Sequence, residues 1–426
     1  MEPSLTLAVL ALVASLPLSP AVPAADAPPV ERDLAPAELV VRMNGPSPHG
    51  ARSRWIPVDV PPGEDVADAL ERLALTPGVA HVAYNYRYRL HATPNDPLFG
   101  PLQWNLPAID WPGAWEQGDG SGVVVAILDS GIGLGGEDLA CRTFVHPYNA
   151  ATGVADLGAA ADGDGHGTHV TGTVAQCTDN GIGVAGVAPG VSVMPVKVAD
   201  DYGDIYSGPV ANGIAWAVAH GADVINLSLG RSCDLAADWP VCKDPAVDPE
   251  IEAAVAAGIV VVASTGNNGL GHVDSPANHP AAIAVGATIP GDRRAAYSNY
   301  GPDIDLMAPG GTEAEPIFQE TFVGADYDYY GFNGTSMAAP HVSGAAAILK
   351  SIVPDATAAE IRSALTSSAL DLDAAGWDTR TGFGLIQIDA AIDALLFPCL
   401  PGAECDSATL VDASGRWHRW RRLTAG

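Results

Sequence analysis

Positive charge is scarce in this chain. Twenty lysines and arginines face 50 aspartates and glutamates over 426 residues, a formal net charge of −30. Such a surface repels polyanions, so neither nucleic acid nor anionic membrane is expected as a partner. Charged residues make up 16% and hydrophobic ones 48%, enough apolar chain for a large core in two or three domains. Long apolar runs are also missing. Residues 5–18 form one short run, followed by Pro20, Pro23, Ala24 and Ala25. It is too brief to cross a bilayer and reads as an export signal, although no lysine or arginine precedes it. The six cysteines contain no C-x-x-C pair of zinc spacing. In an exported chain they favour disulfides. Cys233 with Cys242 and Cys399 with Cys405 are near enough to close small loops, which leaves Cys141 and Cys177 for each other.

What is present is ordered. Residues 38–43 alternate like a strand, residues 66–73 place apolar side chains at helical spacing, and residues 78–84 read as a second strand. Beyond them the pattern changes. Apolar runs at 123–128, 191–198, 223–229, 259–263 and 282–287 suit buried parallel strands, with helical stretches at 166–175, 207–220 and 249–257. Alternation of this kind predicts an α/β fold, a doubly wound, mostly parallel sheet with helices on both faces. In such sheets reactive groups sit at the carboxyl ends of strands. No internal repeat occurs, and the tail 398–426, with its basic run Arg416-Trp417-His418-Arg419-Trp420-Arg421-Arg422, departs in composition.

Three glycine-bounded segments carry chemistry. Asp129 ends the apolar run 123–128 and precedes Ser130-Gly131. His166 stands in Asp164-Gly165-His166-Gly167-Thr168-His169-Val170. Ser336 stands in Asn333-Gly334-Thr335-Ser336-Met337-Ala338-Ala339-Pro340-His341. A serine hydroxyl becomes a nucleophile when a histidine takes its proton, and a carboxylate fixes that histidine's tautomer. The small residues after Ser336 predict a tightly packed helix with the serine at its amino end, where the dipole favours negative charge. Taken singly, each residue has a bland reading: a helix cap, a satisfied polar histidine, a turn serine. His169 competes with His166, being three residues on along the same helical face.

In the order Asp…His…Ser these segments resemble the subtilisin-like serine proteases, and the resemblance spans residues 38–396. It implies acyl transfer, with Ser336 as nucleophile, His166 as base and Asp129 as its orienting acid. The run 259–269 ends in Ser264-Thr265-Gly266-Asn267-Asn268-Gly269, and the resemblance places the oxyanion donor on Asn267. Two segments, Gly203-Asp204-Ile205 and Ser228-Leu229-Gly230, would clamp an extended peptide by its main chain, which implies broad specificity. Asp274 aligns with the base of the pocket for the residue that donates the scissile carbonyl: facing inward it would favour lysine or arginine there, facing outward it is a surface acid. Structural calcium is implied, with Asp96, Asp138, Asp179 and the carbonyls of Ile182 and Val184 as ligands, hard oxygens that suit this ion rather than zinc. That arrangement would also bring Cys141 beside Cys177.

The strand–helix–strand unit resembles the inhibitory propeptide of the family. The expected layout is a signal peptide over 1–25, a small α+β propeptide over 26–93, a peptidase domain over 94–397 and the tail. Maturation is expected between residues 90 and 94. A secreted or periplasmic monomer acting on proteins and peptides, with its own propeptide as inhibitor, follows. The rivals are a catalytically silent binding protein on the same fold, the acid-acting relative that uses glutamate as base, and a metallopeptidase, which lacks its His-Glu-x-x-His here.

Overall fold

A computed structural model describes residues 34–43, 55–61, 66–86, 93–233, 242–396, 405–411 and 417–423. The expected signal, residues 90–92 of the expected maturation window and Cys399 of the Cys399–Cys405 pair lie outside the described residues. The chain divides into two compact units, one of residues His91–Pro398 and one of Met1–Leu90 with Cys399–Gly426.

The smaller unit contains an antiparallel sheet in the order β2-β1-β3, from β1 (Leu34–Met43), β2 (Trp55–Val58) and β3 (Val79–Tyr86), with helix α1 (Val66–Ala74). Leu39 and Val41, two apart on β1, pack with Ala69, Leu70 and Leu73 of α1. β2 escapes a reading of periodicity because it is four residues long, half exposed and interrupted by Pro57. The tail contributes a hairpin of β15 (Cys405–Val411) and β16 (Trp417–Leu423).

In the larger unit, β4 (Val124–Asp129) lies at the centre of a sheet with β7 (Ser192–Lys197) on one side and β8 (Val224–Leu227), β9 (Val260–Ser264) and β10 (Ile283–Ile289) on the other. These neighbours pair in parallel. Short strands β5 (Thr143–Phe144), β6 (Tyr148–Asn149) and β12 (Leu306–Pro309) extend it in parallel, and β11 (Arg293–Arg294) pairs antiparallel with β10. The period of two explains both layers. Val125 and Ile127 of β4 join one core with Val170 and Val174 of α2 (His166–Ala175) and with α5 (Thr335–Ile352). Ala126 and Leu128 face the other way, into a core with Ile214 of α3 (Ser207–Ala219) and Ile251 of α4 (Asp248–Ala256). Helices α6 (Ala358–Ser367) and α7 (Ile388–Leu396) complete the first layer. The expected doubly wound sheet is the one observed.

The ribbon of β13 (Ile317–Val323) and β14 (Asp326–Phe332) is an addition to the sequence reading. Its buried glutamate, Glu320, interrupts any apolar pattern; the carboxylate takes the amides of Glu137 and Asp138 at 2.8 and 2.9 Å. Disulfides join Cys141 to Cys177 and Cys233 to Cys242, with Cα separations of 6.1 and 5.5 Å. Among the described residues no helix is long and apolar enough to cross a membrane.

Candidate active site

β4 delivers Asp129, 2% exposed, to the carboxyl edge of the sheet. Its Oδ1 accepts from the Ser130 amide and lies 2.7 Å from Nδ1 of His166. That contact assigns the ring proton: Nδ1–H donates to the acid, so the Nε2 lone pair is left to the cleft. His166 is the first residue of α2, reached through Gly165 at φ 98°. Gly167 is required by close approach, since a Cβ there would collide with the Gly131 carbonyl. The turn before the helix is held by Asp162, whose carboxylate accepts from the amides of Asp164, Gly165 and Thr168 and from the Thr168 hydroxyl. Burial opposes its charge, but these donors outweigh burial and hold the Asp162 carboxyl below its usual range. Sequence reasoning passed over Asp162 because an aspartate among glycines looks like any loop residue.

The two neighbouring histidines are differently placed. His169 is fully buried, donates Nε2–H to the Ile317 carbonyl at 2.9 Å and stacks on Phe332. Burial drives its pKa down to about 3. His341 bonds the Met337 carbonyl and Asn105, and burial lowers it to about 4. Both therefore stay neutral. For His166, burial alone would lower the pKa, but the charge and hydrogen bond of Asp129, with Asp164 and Asp162 behind them, raise it above 6.5. A base must be neutral to act. We therefore expect kcat/KM to climb with pH through an apparent pKa above 6.5; a profile already flat at pH 6 would contradict this placement of charge.

Ser336 is the second residue of α5. Its hydroxyl donates to the Ser228 carbonyl at 3.3 Å rather than to His166. In return Ser228 Oγ donates to the Ser336 carbonyl at 2.8 Å, and Asn226, itself held by Ser343, donates to Ser228. This chain pins the start of α5 to the end of β8. Asn267, just beyond β9, receives both the amide of Thr335 at 2.8 Å and its hydroxyl at 2.9 Å on Oδ1. A backbone N–H can only donate, so the amide oxygen is assigned by chemistry and the NH2 group is turned away from Thr335. The Thr335 hydroxyl also takes the Gly266 amide. No local signal in the sequence distinguishes Thr335 from a helix-start threonine. His166, Asn267, Ser336 and Met337 line one pocket of 380 Å³.

A second cleft of 590 Å³ runs on from His166. Gly203 and Ile205 line it, as do Ser228, Leu229 and Gly230. Asp204 does not: its amide and carbonyl close a tight turn with Asp200. Asp274 does not face outward. It is buried, not a surface acid, and the cleft is lined by its neighbours Ser275 and Pro276. Asp274 Oδ1 receives the Cys233 amide at 3.2 Å, and Oδ2 lies where a side chain on Gly266 would project.

The five expected calcium ligands come together but divide into two roles. Asp96 spends its two oxygens on the amides of Asp179 and Asn180, and Asp179 Oδ1 takes the amide of Asn95. These two acids fasten residues 95–96 to the loop 177–184. Asp138, wholly buried, accepts from Asn180, Tyr329 and the Val184 amide. Val184 is also fully buried, yet among the described residues no donor reaches its carbonyl or that of Ile182. A buried carbonyl without a donor calls for a partner, and with Asp138 these oxygens fit a hard cation. Among the described residues, no three His, Cys, Asp or Glu side chains converge as a metal-binding group.

Similarity to known proteins extends over most of the chain. The subtilase family (Peptidase_S8) matches residues 120–384. Subtilisin NAT of Bacillus subtilis subsp. natto is 38% identical over 335 residues, 76% of this chain and 78% of that protein. Subtilisin Savinase of Lederbergia lenta is 38% identical over 291 residues, 68% of this chain and 98% of that one. A solved structure described as proteases from Pseudoalteromonas arctica PAMC 21717 superposes with a TM-score of 0.62 at 34% identity, covering 71% of this chain and 100% of the other. The chain belongs to the subtilase family and is a serine endopeptidase.

Proposed function

We propose that this protein is a secreted endopeptidase of broad main-chain recognition, made as a precursor, in which Asp129, His166, Ser336 and Asn267 perform the chemistry. The observation that carries the reading is the 2.7 Å contact of His166 Nδ1 with Asp129, beside Ser336 and Asn267 in one pocket. A rotation about χ1 exchanges the Ser228 carbonyl for His166 Nε2 as acceptor of the Ser336 proton. Ser336 Oγ then attacks the peptide carbonyl as Nε2 takes that proton. Nε2 returns it to the leaving amine, and water resolves the acyl-enzyme by the same route. The Asn267 NH2 and the Ser336 amide hold the oxyanion, and Asp129 stabilises the imidazolium. A fluorophosphonate probe should label the mature protein on Ser336 alone; absence of labelling, with hydrolysis of peptides also absent, would support a silent binding protein instead.

The substrate lies extended between Gly203-Asp204-Ile205 and Ser228-Leu229-Gly230, where backbone pairing is indifferent to sequence. One bias is superimposed. The residue that donates the scissile carbonyl reaches past Ser228 toward Ser275, and Asp274 behind Gly266 draws a lysine or arginine. Cleavage profiling of a peptide library should show basic residues enriched there, and a library without that enrichment would remove the role of Asp274.

Residues 26–93, whose described part is the β1–β3 sheet with α1, act as folding aid and inhibitor until removed, after a signal at 1–25 directs export. The product works as a monomer on protein and peptide substrates, without nucleic acid or membrane. Calcium is held by Asp138 and the Ile182 and Val184 carbonyls, with Asp96 and Asp179 as fasteners of the loop. The ion supplies charge to a buried carboxylate and closes the loop; it takes no part in hydrolysis. Chelation should lower Tm by several degrees, restored by calcium, and an unchanged Tm would end the assignment.

A further inference from the structure

The helix that carries Ser336 is broken in its own hydrogen bonding. α5 has Pro340 in its interior. In a regular α-helix the carbonyl of Ser336 would accept from the amide of residue 340. Proline has no N–H, and its ring crowds the carbonyl four residues earlier and tilts it away from the helix. The orphaned oxygen belongs to the residue whose hydroxyl attacks and whose amide faces the oxyanion.

A donor reaches it from just past the end of β8. Ser228 Oγ lies 2.8 Å from the Ser336 carbonyl. That oxygen can only accept, so it takes the single hydroxyl proton of Ser228. Ser228 Oγ must then accept in turn, and Asn226 Nδ2 donates to it at 3.0 Å. The Asn226 oxygen is thereby turned toward Ser343, whose hydroxyl donates to it at 2.8 Å. Ser343 stands about two turns further along the same helix. Asn226 and Ser343 are fully buried and Ser228 nearly so, which leaves each proton one destination. The chain of bonds begins and ends on α5, and one acceptor, the Ser336 carbonyl, sets its direction.

We propose that Ser228 is a positioning residue for the nucleophile: its hydroxyl, steered by Asn226 and Ser343, replaces the amide that Pro340 lacks and holds the first turn of α5 in place for attack. This rests on Ser336 being the nucleophile. The role belongs to the Ser228 side chain and is separate from the pairing of its backbone with a substrate. Ser336 supplies both Oγ and an oxyanion N–H, so a shift of that turn misplaces two reacting groups together. An error of about 1 Å in such a placement costs about a hundredfold in rate.

The test is a double-mutant cycle of Ser228→Ala and Pro340→Ala. Two readouts are taken: peptide hydrolysis, and the rate at which a small alkyl fluorophosphonate labels Ser336. The probe carries no peptide, so its rate reports on the nucleophile and not on substrate binding. Ser228→Ala alone should lower kcat and the labelling rate by about tenfold to a hundredfold, with KM little changed. Ser228→Thr keeps the hydroxyl and should label within about threefold of wild type. Pro340→Ala returns an amide to the helix, so in that background Ser228→Ala should cost about threefold or less. A loss confined to KM, an equal loss in both backgrounds, a threonine variant as slow as alanine, or no loss at all overturns the proposal. If Ser228→Ala does not fold, recovery of folded, labelled protein in the double variant supports the proposal, and failure of the double variant to fold overturns it. A wild type that neither hydrolyses peptides nor takes the probe overturns the reading of Ser336 as nucleophile as well.

Discussion

Replacing Ser336 with alanine should lower peptide hydrolysis by about 10⁶ in kcat, the scale of loss when a subtilisin is stripped of its nucleophile alone. The change removes one oxygen from the amino end of α5, and in the resting structure that oxygen makes only a 3.3 Å contact to Ser228. Folding should therefore be unaffected, with Tm within the small range of a neutral substitution. What remains is catalysis by the oxyanion donors and binding, since Asn267, Thr335 and the Ser228 bond to the Ser336 carbonyl all persist. The proposed precursor makes the result sharper. If processing is the enzyme's own act, Ser336→Ala should accumulate at precursor mass with residues 26–93 attached. Retention of hydrolysis within tenfold of wild type would remove Ser336 from the mechanism, and maturation of the variant in purified form would remove self-processing.

Asn267→Ala should be the next largest loss, about 10²–10³ in kcat with KM little changed, as found for the side-chain oxyanion donor of a subtilisin. The NH2 group acts on charge that develops in the transition state, not on the ground-state carbonyl, hence the split between kcat and KM. The geometry adds a reason for the size. Two donors from Thr335 occupy the amide oxygen, so the amide cannot flip and its NH2 is preorganised at no cost during reaction. Asn267→Asp is informative too. Its carboxylate would still accept from Thr335 but offers no donor to the oxyanion, so it should lose at least as much activity as alanine. A loss under tenfold in Asn267→Ala would sink the assignment.

Much of this was legible in advance because it rests on local rules. The apolar runs 123–128 and 259–263 could be nothing but buried strands, and they appear within a residue as Val124–Asp129 and Val260–Ser264. Small residues after Ser336 allowed only a tightly packed helix, and α5 is that helix. Elements that escaped prediction lack local signals. β2 is too short to show a period, and the β13–β14 ribbon carries its one strong feature, buried Glu320, in the middle of a strand. Glu320 is intelligible only beside the amides of residues 137 and 138, which are 183 and 182 positions away.

The division follows the range of the forces. Composition and period determined the sheet, since backbone propensity and burial act between near neighbours in the chain, while the resemblance of three short motifs to the subtilisin-like proteases implied the reaction class and the candidates Asp129, His166 and Ser336. Which histidine faces the acid was settled by tertiary packing, which buries His169 against Ile317 and Phe332 and leaves His166 at the cleft. The same holds for the amide orientation of Asn267, the burial of Asp274 and the fastening roles of Asp96 and Asp179. Each depends on a hydrogen bond between segments 41 to 84 residues apart, and no local pattern encodes where such a donor will arrive.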